Sequence, residues 1–182
     1  MLAVTFVLER SPLSAPIRYA ELARALGVGL GDRAPLQDVR EAVLGLRRGK
    51  GMVIDPADPD SVSAGSFFTN PVLDDAAFAA LERRVAERLG GGAAPPAFRD
   101  TDGHVKTSAA WLIERAGFAR GQGDAGGIAI SGKHTLALTN RGGGTSTELV
   151  AHAVRDPARE RDAFGVELVP EPVFVGHDWP AR

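Results

Sequence analysis

The amino-acid sequence predicts an α+β fold, a small and mostly antiparallel sheet packed with helices. Three observations lead there. Apolar residues recur at helical spacing in two segments: Leu36, Val39, Val43 and Leu46 share one face, and Phe78, Leu81, Val85 and Leu89 share another. Two β-rich runs, GIAIS at 127–131 and TLALTN at 135–140, are separated only by Gly132, Lys133 and His134, the layout of a hairpin. Helical and strand-like segments interleave along the whole chain, without an internal repeat.

Taken in order, Leu2–Glu9 (LAVTFVLE) is apolar, β-rich and too short for a stable helix, so it reads as a strand. SPLSAP breaks the pattern, and Ile17–Tyr19 reads as a short strand. AELARAL follows as a short helix closed by Gly27. Pro35 suits a first helical turn and opens an amphipathic helix to about Arg48. Residues 49–66, with Asp55, Asp58, Asp60 and two prolines among glycines, read as a long irregular loop. FFTNPVL is a short extended piece, after which Asp74 or Asp75 caps a helix reaching Leu89. GGGAAPPAFRDTDG reads as a loop, and TSAAWLIERA as a helix closed by Gly117. Beyond the hairpin, Thr145 and Glu148 have capping-box spacing, and Pro157 should end or kink the helix they open. VELV and PVFVG read as the last strands, split by Pro170 and Pro172.

Bulk properties exclude several functions. With 21 Lys and Arg against 23 Asp and Glu, the chain has no global basic field for nucleic acid or an anionic membrane, so an anionic ligand needs a local cationic cluster. The absence of cysteine rules out disulfides, thiolate catalysis and Cys-based zinc sites; no metal site is expected. No stretch approaches the roughly 20 apolar residues of a membrane span, and no signal segment is visible, so a cytoplasmic location is expected.

Three motifs carry the chemistry. AGSFFTNP (64–71) reads as a turn before a buried aromatic strand, or as small residues that let a ligand approach the backbone while Ser66 offers a hydroxyl. No histidine base lies nearby in sequence, which favours a serine proton donor over a serine nucleophile. ISGKHTLALTNRGGGTSTE contains a glycine-rich turn before a helix, a weak signal for phosphate binding. PEPVFVG (170–176) places Glu171 between two prolines that fix its backbone, as a solvated edge residue or as a rigidly held carboxylate.

In this order, and together with IRYAEL, LRRGKGMVIDP, DGHVKTSAAWLIERAGF, KHTLALTNRGG and FGVELVPEPVFVG, these motifs resemble the C-terminal half of UDP-N-acetylenolpyruvoylglucosamine reductase, also called UDP-N-acetylmuramate dehydrogenase. The resemblance runs from residue 2 to 176 and is densest in AGSFFTNP. It implies residues 1–50 as a remnant of the domain-boundary region and 51–182 as a substrate-binding C-terminal domain.

The resemblance implies an enzyme of peptidoglycan synthesis that uses NADPH and FAD to reduce an enolpyruvyl ether. Ser66 matches the family's proton donor, and Glu171 its glutamate beside the substrate carboxylate. Such a glutamate must be neutral, or bridged by a cation, to help a developing dianion. Lys50 matches a lysine at the uridine diphosphate end, with Arg47 one helical turn before it. Tyr19 and Asn70 match residues that contact the nucleotide. Phe98 stands where many relatives carry a tyrosine, keeping the ring without the hydroxyl, and His134 stands where some carry a glutamine. In the family the flavin-binding half, with an arginine that stabilises the enolate, precedes Leu2. The chain alone is therefore expected to bind no cofactor and to be inactive, with a UDP-sugar as ligand and a separate flavin-binding half as possible partner. Three roles stay open: part of a reductase, a stand-alone UDP-sugar-binding module, or an inactive remnant.

Overall fold

The computed structural model describes residues 2–123 and 127–179, without the side chains of 156–160. The chain divides into two compact units, Met1–Val53 and Ile54–Arg182.

The first unit is built on α1 (Ala20–Leu26) and α2 (Leu36–Gly49). Gly27 ends α1 at φ 69°, a conformation that costs a residue with a Cβ more than it costs glycine. Pro35 stands at the N-cap of α2, as its fixed φ suits. The small core uses Ile17, Ala23 and Ala34. Two sequence expectations fail in this unit. Leu2–Glu9 is not a strand, because a strand exists only with a ladder partner and none of the described residues supplies one. Ile17–Tyr19 is not a strand either. Ile17 does exchange backbone bonds with the 31–32 turn, donating to the Asp32 carbonyl at 2.8 Å and accepting from Gly31 at 2.8 Å, but the chain turns into α1 before a ladder can grow.

The second unit holds two three-stranded antiparallel sheets, matching the predicted α+β class. One has the order β1 (Ser63–Ser66), β6 (Ala137–Asn140), β5 (Ile128–Ile130). The other has the order β2 (Val72–Leu73), β4 (Val105–Lys106), β3 (Phe98–Arg99). Packed with them are α3 (Asp75–Leu89), α4 (Ala109–Arg115) and α5 (Ser146–Phe164). The predicted caps form: Asp74 accepts from the Ala77 N–H at 2.7 Å, and Thr145 and Glu148 complete a capping box. The core is continuous from Phe68 through Leu81, Val85, Leu112, Ile113 and Ile130 to Phe164 and Leu168.

Four corrections apply here. The loop at 49–66 is not wholly irregular: a 3₁₀ turn forms at Pro59–Ser61, and Ser63–Ser66 joins the sheet. The loop containing Phe98 contributes β3, because Phe98 and Arg99 find partners in Lys106 and Val105. Helix α5 does not end at Pro157 but continues to Phe164; whether Pro157 kinks it lies outside the described side chains. VELV and PVFVG form no strands; Pro170, between them, makes a bridge with Phe68. Pro170 and Pro172 lack the N–H groups a ladder would use, so pairing stops there.

Thr107 is fully buried, and its hydroxyl has no hydrogen-bond partner among the described residues. Thr107→Val keeps the shape and removes this orphan group, and is expected to raise stability by about 1 kcal/mol in urea unfolding.

Candidate functional site

Ser66 owes its place to an irregular strand. On β1, Ser63 pairs with Thr139 and Ser66 with Ala137, so three steps on one strand oppose two on the other. The extra residue makes a bulge, a device that re-aims side chains at the edge of a sheet. Gly65 sits within it at φ 88°, and a Cβ there would meet nothing within 4 Å. Gly65→Ala should therefore cost only backbone strain, on the order of 1–2 kcal/mol, while displacing Ser66. Thermal unfolding beside the amide spectrum of residues 63–67 would separate the two effects.

Glu171 arrives from far along the chain. Its N–H donates to the Phe67 carbonyl at 2.9 Å, and the Thr69 N–H donates to the Val169 carbonyl at 3.0 Å. This short antiparallel contact sets Glu171 beside the residue after Ser66. Ser66, Glu171, Ala64 and Pro172 line one cavity of about 320 Å³. The resemblance implies that these two residues act on one substrate, and both line this cavity. Ala64 and Pro172 also border a larger, mainly apolar cavity of about 680 Å³, walled by Val62, Leu138, Leu149, Val173 and Phe174 among others.

The other sequence-predicted residues of the second unit are not in this lining. Asn70 is exposed, and its Oδ1 accepts the N–H of Ala109 at 3.0 Å, satisfying one of the free donors at the start of α4. Phe98 is 64% exposed on β3. His134 is half-buried in the β5–β6 turn, its N–H bonded to the Ser131 hydroxyl at 3.3 Å. Tyr19, Arg47 and Lys50 belong to the first unit. Tyr19 is 77% exposed at the N-cap of α1. Arg47 is exposed on the last turn of α2, and the Lys50 ammonium is held by Glu21 at 2.8 Å.

The glycines of NRGGG make a turn. Gly142 and Gly143 have positive φ, and the Asn140 side chain ties the turn together by accepting from the N–H groups of Gly142 and Gly144 while donating to the Gly144 carbonyl. Those donors therefore do not form a phosphate cradle.

Sequence reading missed the carboxylates of the preceding loop. Asp58 bonds the Lys133 ammonium at 2.7 Å, and this bond, aided by the Asp60 N–H and the lysine charge, holds the Asp58 carboxyl below the usual carboxylate range. That contribution is present above the ordinary carboxylate pKa and is lost as acid titrates Asp58 through its lowered folded value. Asp60 accepts from Arg141 at 2.7 Å and from the Gly132 N–H at 3.0 Å. The available signal was a run of acidic turn residues followed far downstream by Lys133 and Arg141, whose pairing cannot be read locally.

A profile described as UDP-N-acetylenolpyruvoylglucosamine reductase, C-terminal domain, matches residues 56–175. The chain belongs to this family. Its sequence is 63% identical over 173 residues to a UDP-N-acetylenolpyruvoylglucosamine reductase of Thermobifida fusca, covering 95% of this chain and 48% of that protein. It is 60% identical to one of Streptomyces coelicolor, covering 97% of this chain and 46% of the relative. A Mycobacterium tuberculosis reductase is 51% identical over 180 residues, with 97% and 47% covered. The chain thus spans about half the length of the curated reductases it matches. No helix among the described residues is long and apolar enough to cross a membrane.

Proposed function

We propose that this chain is the substrate-binding and proton-donating part of a UDP-N-acetylenolpyruvoylglucosamine reductase acting in the cytoplasm in peptidoglycan synthesis. One observation carries the reading: a hydroxyl and a carboxyl from opposite ends of the unit, Ser66 and Glu171, line one cavity in a chain of this family. Reduction of an enolpyruvyl ether adds a hydride to the terminal carbon and a proton to its neighbour. Ser66 supplies the proton, and its weak acidity suffices because an enolate carbon is strongly basic and the site supplies orientation. Glu171 faces the substrate carboxylate.

In this reading the hydride comes from FAD reduced by NADPH. The glycine turn, closed by Asn140, offers that cofactor no phosphate cradle, and no flavin site is assigned to the described residues. A partner half would hold it. Val173 and Val175, 89% and 87% exposed beside the larger cavity, offer that half an apolar surface.

The nucleotide end is assigned to Lys50, Arg47 and Tyr19, with Asn70, Phe98 and His134 as further contacts. The Lys50–Glu21 pair is exposed and weak, within about 1 kcal/mol, so a diphosphate can displace it. Calorimetry of the chain with UDP-N-acetylglucosamine and its enolpyruvyl ether tests the reading. Lys50→Ala should weaken both ligands about tenfold, the scale of one charge-assisted bond, and Glu21→Gln should strengthen them. No binding of either ligand by the folded chain removes the proposal. The chain alone should also be colourless and inactive with NADPH; absorbance of bound flavin would contradict this.

A further inference from the structure

β1 is a poor holder of its own register. It has four residues, an interrupted ladder and a bulge at the glycine beside Ser66. Short irregular strands slip easily, and a slip turns each side chain to the opposite face. Some other contact must fix where the strand starts.

Asp60 is placed to do this. It lies in the 3₁₀ turn just before β1, with its side chain 12% exposed. Its two oxygens bind two points on the β5–β6 hairpin: Arg141 just beyond β6, and the Gly132 N–H in the turn. Two directional, charge-assisted bonds define a position better than apolar contact does. The fit is close at Gly132: a Cβ there would lie 2.8 Å from Asp60 Oδ2, so the carboxylate would have to shift. Immediately downstream, the Val62 carbonyl accepts the Asn140 N–H at 3.2 Å, so the anchored loop feeds directly into the ladder. Asp60 itself lines neither cavity, so it acts on a ligand there only through the residues it positions.

We propose that Asp60 is a positioning residue for Ser66, locking the loop before β1 onto the β5–β6 hairpin so that the bulge presents the hydroxyl to the cavity. The functional part rests on the reading of Ser66 as the group that meets the enolpyruvyl end of the ligand.

The test compares the full chain with Asp60→Asn, Asp60→Ala and a control, Val85→Ala, which removes buried volume from α3. The first readout is hydrogen exchange at the Phe67 amide, bonded to the Leu136 carbonyl at 2.7 Å next to Ser66. The Asp60 variants should speed that exchange by about tenfold or more, the scale of one lost bond to a charged group, while α3 amides keep their rates. Val85→Ala should speed exchange broadly. The second readout is the ratio of affinities for the enolpyruvyl ether and for UDP-N-acetylglucosamine. The Asp60 variants should lower it, because only the first ligand reaches Ser66; Val85→Ala should leave it unchanged. Unchanged Phe67 exchange, or an unchanged affinity ratio in a chain that binds both ligands, overturns the proposal. If the parent chain binds neither ligand, the functional reading has failed, and the exchange readout alone decides whether Asp60 fixes β1. Asp60→Asn keeps the decision available should Asp60→Ala not fold.

Discussion

Phe68→Ala is expected to lower the unfolding free energy by about 3–5 kcal/mol, the range for truncating a buried phenylalanine. The ring is 2% exposed and stands edge-on to Phe67, with centroids 5.0 Å apart, and to Trp179 at 6.3 Å. Its backbone forms the bridge with Pro170. Truncation therefore opens a core cavity and loosens the contact that delivers Glu171. Equilibrium denaturation should show the loss, and UDP-sugar binding should fall in the folded fraction as well. A cost below about 1 kcal/mol, typical of surface substitutions, would mean that the core around the bridge is not packed as described.

Gly127→Ala is expected to cost about 2–4 kcal/mol, combining strain at a positive φ with overpacking. Gly127 has φ 87°, and a Cβ there would lie 2.5 Å from the Gly142 carbonyl oxygen. The obstacle is backbone, so no side chain can swing away. That backbone is also tied in place, because the Arg141 N–H donates to the Gly127 carbonyl at 2.9 Å. By contrast, Gly142→Ala meets no atom within 4 Å and should cost only its conformational strain. Thermal unfolding of the two variants side by side checks the difference; equal costs would refute the steric part.

The helices were legible because their signals are local. Asp74, Thr145 with Glu148, Gly27 and Pro35 each mark an end within a few residues of the periodic segment they bound. The β5–β6 hairpin was legible for the same reason. Leu2–Glu9 and PVFVG have strand composition, but composition cannot supply a partner, and each lacks a strand partner among the described residues. β1 and β3 were missed for the converse reason: Ser-Ala-Gly-Ser and Phe-Arg have little strand character and pair because β6 and β4 are presented to them. For the site, AGSFFTNP and PEPVFVG pointed to Ser66 and Glu171, whereas Asp60 and Arg141 could be joined only by the fold.

The short pairing of Phe67–Thr69 with Val169–Glu171 also has a consequence for synthesis. The Thr69 hydroxyl and the Val169 carbonyl it meets at 3.3 Å are 100 positions apart in sequence. Contacts of such separation form late and slow folding, because a long loop must close before they return any free energy. On the ribosome, Phe67–Thr69 therefore emerges long before Val169–Glu171. A nascent chain stopped at the end of α5 already has Ser66 but neither Glu171 nor the bridge that covers Phe68. The Ser66–Glu171 cavity can therefore close only after the last stretch of the chain has been made and has folded back on Phe67–Thr69.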